Sequence, residues 1–270
     1  MPSSLSWIDY DPLDRERSLR ILSLFQERES RDELGLGAVR DSFADALFPG
    51  TSTIQTRMRY MLFVPWIYNH LEERRTASSK FAVKARHLEL SLVEPLLENS
   101  DDAGVFGKVA GGSLKRLPSS VYWNGMGLWG IRKVECSQDE YHRYIDEVYR
   151  LREASRRRSE KDDSPDEKTI TWHPKLPSPP EGFPEEIRHL SLELSPEEAS
   201  FLQEQIVKNQ KDSLLALLAA KHDWRVPDCR FPWEHPDRNY FSPDHRKILE
   251  YAEFFSVVMH GAAFLYNLML

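Results

Sequence analysis

The feature that most constrains this chain is the segment Ser159–Glu186, in which a run of charged residues is followed by a stretch rich in proline. Six prolines lie within it. Proline has no backbone N–H to donate and its ring clashes with the preceding helical turn, so this segment cannot form a helix or a central strand. We therefore predict a charged and proline-rich linker over residues 159–188. It would join an N-terminal module (residues 1–158) to a C-terminal module (residues 189–270).

Both modules carry apolar residues at helical spacing. In the N-terminal module this spacing predicts helices over Pro12–Arg28 and Lys80–Glu98, and a further helix after the capping-box sequence at 137–140. In the C-terminal module Ser195 and Glu198 fit the two reciprocal positions of a second capping box. No alternating run is long enough to demand a sheet, so we predict a mainly α protein of two helical modules. The N-terminal module has room for a small winged-helix-like part.

The overall charge limits the functions that the chain can have. Its 270 residues carry a net charge of -7 at pH 7 and the pI is near 5.8. This negative net charge excludes attraction of nucleic acid by the protein as a whole. A local basic patch could still bind nucleic acid. The two cysteines, Cys136 and Cys229, and the lack of a basic and apolar leader lead us to expect a cytoplasmic protein without disulfides.

The longest apolar run is Phe254–Leu270. It includes His260, Gly261 and Asn267, and its length is marginal for a membrane span. We therefore predict that it forms a buried helix, and we expect no contact with a membrane.

Residues 38–64 suggest a helix-turn-helix. An amphipathic helix is followed by the sequence "PGTST", and a second helix with an apolar stripe is predicted to start near Ile54. In this hypothesis the second helix enters the major groove. Gln55, Arg57 and Arg59 would contact bases or phosphates, since Gln pairs with adenine and Arg with guanine.

The acidic residues of the same stretch allow two other interpretations. Asp41 and Asp45 share one helix face, and they could pair with the two arginines and so pin two packed helices. Together with Asp32 and Glu33 they could instead hold Mg²⁺ for phosphodiester cleavage, because Mg²⁺ prefers oxygen ligands. The sequence leaves both interpretations open.

A second aromatic and basic segment is "VYWNGMGLWGIRK", residues 121–133, which fits either a short helix or a turn with a strand. Tyr122, Trp123 and Trp129 lie close in sequence to Arg132 and Lys133. Aromatic rings beside cations are typical of proteins that bind single-stranded nucleic acid. The alternative is that the rings fill a small core.

Metal and cofactor motifs are weak. His222, Cys229, His235 and His245 could ligate zinc, but their spacing matches no common zinc motif, and we expect an aromatic-anchored loop instead. The chain has no nucleophile elbow, dinucleotide fingerprint or phosphate-binding loop. We predict neither a metal nor a cofactor.

The strings "SWIDY", "RDELGLG", "SSVYWNGMGLWGI", "LSPEEASFL" and "HGAAFLYNL" are long and specific. Through them nearly the whole chain resembles a bacterial family, domain of unknown function 6361. The resemblance implies no activity, cofactor or catalytic residue. It implies a gene neighbourhood with helicases, methylases and nucleases in phage-defence loci, and members that continue beyond the equivalent of Leu270.

We therefore expect a non-enzymatic nucleic-acid-associated or scaffold component of a bacterial phage-defence assembly, with DNA and the proteins of that locus as partners. The residues expected to face the nucleic acid are Gln55, Arg57, Arg59, Arg132 and Lys133. The alternative function is a metal-dependent nuclease with Asp41 and Asp45 among its ligands. Patterns in the sequence favour no oligomeric state.

Overall fold

The computed structural model describes residues 35–99, 104–159, 169–185, 187, 190–221 and 229–269. In these residues the protein is mainly helical and forms no β-strand, which confirms the predicted fold class. The helices are α1 (Leu36–Leu47), α2 (Tyr60–Glu73), α3 (Ser78–Ser91), α4 (Val93–Asn99), α5 (Pro118–Leu128), α6 (Gln138–Ser159), α7 (Pro196–Asn209), α8 (Leu214–Ala220) and α9 (Pro243–Met269). The helix predicted over Pro12–Arg28 lies outside the described residues.

The chain divides into two compact units, Met1–Phe43 and Ala44–Leu270. Of the first unit only residues 35–43 are described, and they form the first turns of α1. The second unit contains the hydrophobic core. The module boundaries predicted at residues 158 and 189 stay predictions.

Helix α2 lies at the centre of this core. Its first nine residues, Tyr60–Tyr68, are all buried. Their sequence is apolar on every side of the helix, a pattern typical of a helix that is surrounded by other elements. Helices α3 and α5 pack against α2, and Trp172, Leu190 and Phe201 belong to the same core. These nine residues therefore present no free face that could enter a DNA groove.

The predicted start of this helix is wrong. Residues 51–59 form two turns joined by irregular backbone, and the helix begins at Tyr60 instead of near Ile54. The hydroxyl group of Tyr122 explains the difference. It accepts hydrogen bonds from the backbone N–H groups of Thr56 (2.8 Å) and Arg57 (3.1 Å) and donates one to the carbonyl of Arg57. These backbone groups are therefore satisfied without a helix.

Both predicted capping boxes are present. At the start of α6, Ser137 N–H donates to the Glu140 carboxylate (2.8 Å) and Glu140 N–H donates to Ser137 Oγ (3.2 Å). At the start of α7, Ser195 and Glu198 make the same reciprocal bonds. Each box satisfies two backbone donors that a helix start leaves free, so these local patterns determine the helix start.

Two glycines let the turn after α1 touch α5. The predicted "PG" stop is confirmed, since α1 ends at Leu47 and Gly50 has φ +81°. A Cβ atom on Gly125 would overlap the carbonyl oxygen of Gly50. A Cβ atom on Gly50 would lie 2.7 Å from Trp129 Nε1, which donates to the carbonyl of Pro49. The contact therefore requires glycine on both sides.

Residues 169–185 of the predicted linker form no α-helix, as their prolines predict, and make a single isolated bridge. They nevertheless pack against α2. Trp66 Nε1 donates to the carbonyl of Pro177 (2.7 Å), and the ring of Phe183 stacks on Phe63. In these residues the segment is part of the folded core.

The prediction that Phe254–Leu270 is buried is wrong for the residues described. Helix α9 is anchored by His245 and Leu249, but no residue of it beyond Leu249 is buried, and the side chain of Phe264 is 71% exposed. By length and composition α9 could cross a membrane, with a mean hydropathy of 1.3 over an 18-residue window. The apolar composition of this run correctly predicted a helix. It did not predict its exposure, because none of the described elements covers the second half of α9.

Candidate functional site

Arg59 does not face outward. It is only 8% exposed, its Nη2 atom lies 2.7 Å from Glu198 Oε1, and its Nη1 atom donates to the carbonyl of Ser191 (2.9 Å). The partner is thus on α7, 139 residues away in sequence. Glu198, and neither Asp41 nor Asp45, neutralises Arg59 in the fold. Contact between Arg59 and DNA stays a prediction that this arrangement does not support.

Gln55 and Arg57 have different surroundings. The amide of Gln55 donates to the carbonyl of Gly50 (3.1 Å), so this side chain stabilises the turn before α2. Arg57 is exposed, and its guanidinium donates only a weak bond to the carbonyl of Thr56 (3.4 Å). No carboxylate among the described residues pairs with it. Of the three residues predicted to contact DNA from this stretch, Arg57 alone keeps a free charge.

The acidic residues do not form a metal site in the part of the chain that is described. Asp41 accepts a hydrogen bond from its neighbour Arg40 (2.9 Å), and Asp45 is exposed. No three side chains of His, Cys, Asp or Glu come close enough to hold a metal ion in the described ranges. Asp32 and Glu33 lie outside them. The nuclease hypothesis stays a prediction without geometric support.

Of the four zinc candidates, Cys229, His235 and His245 are described, whereas His222 lies outside the described residues. Nε2 of His245 is 2.8 Å from the carbonyl of Asp212, and the ring of His235 packs on Phe241. The two histidines therefore have structural contacts.

The aromatic and basic segment forms α5 and then a turn at Gly130, where φ is +68°. The rings of Tyr122, Trp123 and Trp129 are buried, as in the alternative in which they fill a core. The guanidinium of Arg132 lies over the Trp123 ring at 4.9 Å and donates to the carbonyl of Val134. Arg132 is therefore partly buried and fixed in place.

Lys133, in contrast, is exposed and lies beside residues that are distant in sequence. The backbone of 131–133 pairs with the proline-rich segment. Lys133 N–H donates to the carbonyl of Thr171 (2.8 Å), and His173 N–H donates to the carbonyl of Ile131 (2.8 Å). The His173 ring packs on Phe201 of α7 at 5.4 Å between ring centroids. These contacts bring Lys133 and His173 together next to α7.

Lys175 and Lys208 complete this group, which we call the cationic cluster: Lys133, His173, Lys175 and Lys208. Burial is the main cause that lowers the pKa of His173, and the charges of the three lysines lower it further. Burial and then Lys208 lower the pKa of Lys133. In both shifts the neighbouring positive charges disfavour the protonated form.

The cluster is weakly neutralised. Glu204 raises the pKa of His173, but its contribution is smaller than those of Lys133 and Lys208. In the described part of the chain, none of the three lysines forms an ion pair. The sequence indicated only Lys133, because the other members come from the proline-rich segment and α7, which nothing in the sequence places beside it.

A cavity of about 670 Å³ adjoins the cluster and shares His173 with it. It lies between α2, α6 and the proline-rich segment. One side carries the polar residues Asn69 and Ser155, and the ring of Phe183 lines another part. Its volume is within the range of small-molecule sites in proteins, roughly 300–1,000 Å³.

Buried Glu72 fixes the wall of this cavity. Its carboxylate forms an ion pair with Arg152 (2.6 Å). It also accepts hydrogen bonds from Thr171 Oγ1 (2.8 Å), Trp172 Nε1 (2.9 Å) and the hydroxyl of Tyr141. We call these five residues the Glu72 network. It joins α2, α6 and the proline-rich segment, and its two charged groups neutralise each other.

A second buried carboxylate, Glu89, has fewer partners. One oxygen accepts from the N–H of Ser119 (2.8 Å), and the other has no partner among the described groups. Burial raises the pKa of Glu89 from 4.5 to about 7. A hydrogen-bonded chain continues from Ser119 Oγ through Gln138 to Tyr68 and His142.

Comparison with known proteins places most of the chain in one family. The model of the family of unknown function DUF6361 matches residues 2–270. No curated protein and no solved structure matches the chain.

Proposed function

We propose that this chain, which belongs to the family of unknown function DUF6361, is a non-enzymatic protein that binds DNA through the cationic cluster. One observation carries the proposal. The backbone pairing of 131–133 with 171–173 and the packing of the His173 ring on Phe201 of α7 bring three separate segments together. The lysines on these segments are exposed, and they have no ion-pair partner among the described residues. Phosphate groups are the ligands that would relieve the repulsion between these cations.

The overall charge of the protein supports a single, oriented site. The chain carries a net charge of -7, so most of its surface repels a polyanion. A local group of cations is then the place where a phosphate backbone can approach. Three lysines correspond to about three neutralised phosphates, and hence to a slope of log K against log salt of about -2.7 for duplex DNA.

The family resemblance extends this proposal to an assembly. Members of the family are expected beside helicase, methylase and nuclease genes, and we propose that this protein holds DNA for such partner proteins in bacterial phage defence. The exposed apolar residues of α9, such as Phe254 and Phe264, fit contact with a protein partner. Catalytic work would then belong to the partners.

The test is fluorescence anisotropy with labelled duplex DNA at about 50 mM salt, where phosphate contacts are strong. The double variant Lys133→Glu with Lys208→Glu should lose at least about tenfold in affinity and should flatten the salt dependence by about two phosphate contacts. Lys80→Glu with Lys84→Glu is the matched control, because these exposed lysines lie on α3 and change the net charge equally.

Two results would contradict the proposal. The wild-type protein would show no salt-dependent binding, or the control pair would weaken binding as much as the cluster pair does. Binding of poly-glutamate in place of DNA, with the same dependence on Lys133 and Lys208, would show that the cluster serves an acidic protein.

A further inference from the structure

The cavity next to the cationic cluster has a wall that is already rigid. Arg152 donates to the carbonyl of Thr169 (2.9 Å) and to Thr171 Oγ1 (2.8 Å), in addition to its ion pair with Glu72. Its donors are therefore occupied inside the fold. Because the Glu72 network joins all three walls, the cavity exists before any ligand binds.

Other polar groups of the cavity are free to bind. Asn69 on α2, together with Ser155 and Arg156 on α6, lines the cavity. None of these three side chains forms a hydrogen bond or an ion pair with another described residue. The Asn69 amide offers one acceptor and two donors, as the edge of a nucleobase requires, and Arg156 offers a charged donor for a phosphate.

An aromatic ring and the prolines supply the apolar part. Phe183 is half-buried and stacks on Phe63, so its position is fixed from behind. Leu176 and Pro174 also line the cavity. A ring beside polar groups suits a flat ligand with a π-face and a hydrogen-bonding edge.

We propose that the cavity receives one unstacked nucleotide of a single strand whose neighbouring phosphates lie on the cationic cluster. This inference rests on the proposed function, since His173 belongs to both the cluster and the cavity. Bases in a duplex are stacked and paired, and they cannot enter a concave site without being extruded. The protein therefore binds single-stranded DNA more tightly than duplex DNA of the same sequence.

The experiment compares a labelled single strand of about 12 nucleotides, within the usual range of site sizes, with its duplex by fluorescence anisotropy. Wild-type protein should bind the single strand about tenfold more tightly, which is the effect expected for stacking of one base. Ser155→Trp fills the cavity without a change of charge, and it should remove this preference while duplex binding stays the same. Ser91→Trp, at an exposed position of α3, is the matched control.

A second variant tests the inference in case Ser155→Trp disturbs folding. Asn69→Leu keeps a similar size but removes the amide, and it should weaken single-strand binding about tenfold while leaving duplex binding unchanged. Equal binding of both DNA forms by the wild type, or an unchanged preference in Ser155→Trp and Asn69→Leu, would overturn the cavity inference and leave the cluster in place. Loss of both DNA forms only in the variant Lys133→Glu with Lys208→Glu supports the proposed function, and absence of all binding overturns it.

Discussion

The protein treats its charges in two opposite ways. In the interior, Arg59 is paired with Glu198 and Arg152 with Glu72, and each guanidinium also donates to a neighbouring carbonyl. At the surface, Lys133 and the rest of the cationic cluster have no such partners in the described residues. The first set joins parts of the chain that are far apart in sequence, whereas the second set keeps its charges available.

This difference shows which charged residues can have a function outside the fold. A guanidinium that is desolvated and paired contributes to the stability and the arrangement of the core. A lysine that repels its neighbours contributes little to stability, so its position is explained better by an external anion. The two sets should therefore respond oppositely to substitution.

The largest effect is expected for Glu72→Ala. Removal of this carboxylate leaves Arg152 and three hydrogen-bond donors without their common partner, which should lower the free energy of unfolding by about 3–5 kcal/mol. Urea denaturation measures this change. Glu185→Ala, which breaks an exposed ion pair with Arg74 (2.7 Å) and a longer contact with His70 (3.7 Å), is the control and should cost about 0–1 kcal/mol. Equal losses in both variants would remove the distinction between the interior and the surface.

Arg59→Ala and Arg57→Ala sharpen the comparison within one short stretch. Arg59→Ala leaves Glu198 buried without its partner, and the cost should be about 3 kcal/mol. Arg57→Ala should change the free energy of unfolding by less than about 0.5 kcal/mol because its guanidinium is exposed. Thermal denaturation of the two variants under the same conditions checks this order. A larger loss for Arg57→Ala than for Arg59→Ala would contradict the assignment of Arg59 to the core and of Arg57 to the surface.

The buried carboxylate of Glu89 should make the free energy of unfolding depend on pH. Its pKa is raised to about 7 in the folded state and is 4.5 without burial, so the folded protein binds the extra proton between these values. The contribution of Glu89 to stability is therefore fully present below about pH 4.5 and is lost as the pH rises to about 7, by up to about 1.4 kcal/mol per unit. Glu89→Gln should remove this part of the slope in urea denaturation at several pH values. A slope that persists unchanged would assign it to other groups.

The smallest expected effect is the pH dependence of DNA binding by the cationic cluster, through His173. Burial and the three lysines lower the pKa of this imidazole, so it is mostly neutral at pH 7. A bound phosphate would favour the protonated form and raise this pKa. DNA affinity should then increase a few-fold as the pH falls from 8 to about 5.5. His173→Gln should abolish this pH dependence, and a pH profile that the variant shares with the wild type would exclude His173 from the interface.

Local sequence patterns predicted much of the fold. The two capping boxes, the stop after α1 and the absence of strands were all predictable, because each depends on residues within a few positions of one another. The start of α2 was not, since the hydroxyl of Tyr122 reaches back over 65 residues to satisfy the backbone at Arg57. The exposure of α9 was not predictable either, because apolarity does not say whether a covering element exists.

The candidate site was less predictable than the fold. Lys133 was recognised because aromatic residues precede it, but the sequence gives no reason to place Lys175 or Lys208 beside it. Lys175 comes near through the backbone pairing of 131–133 with 171–173, and α7, which carries Lys208, through the packing of the His173 ring on Phe201. The same long-range dependence explains Arg59, whose buried partner on α7 no local pattern indicates.

The pair of glycines between the turn and α5 has a consequence for the history of this gene. Glycine should be retained at both positions 50 and 125, because alanine or serine at either one would overlap the other segment of the chain. A saturation library selected for correctly folded protein would return glycine at both positions and wide variety at Gly112, where a Cβ atom meets open space.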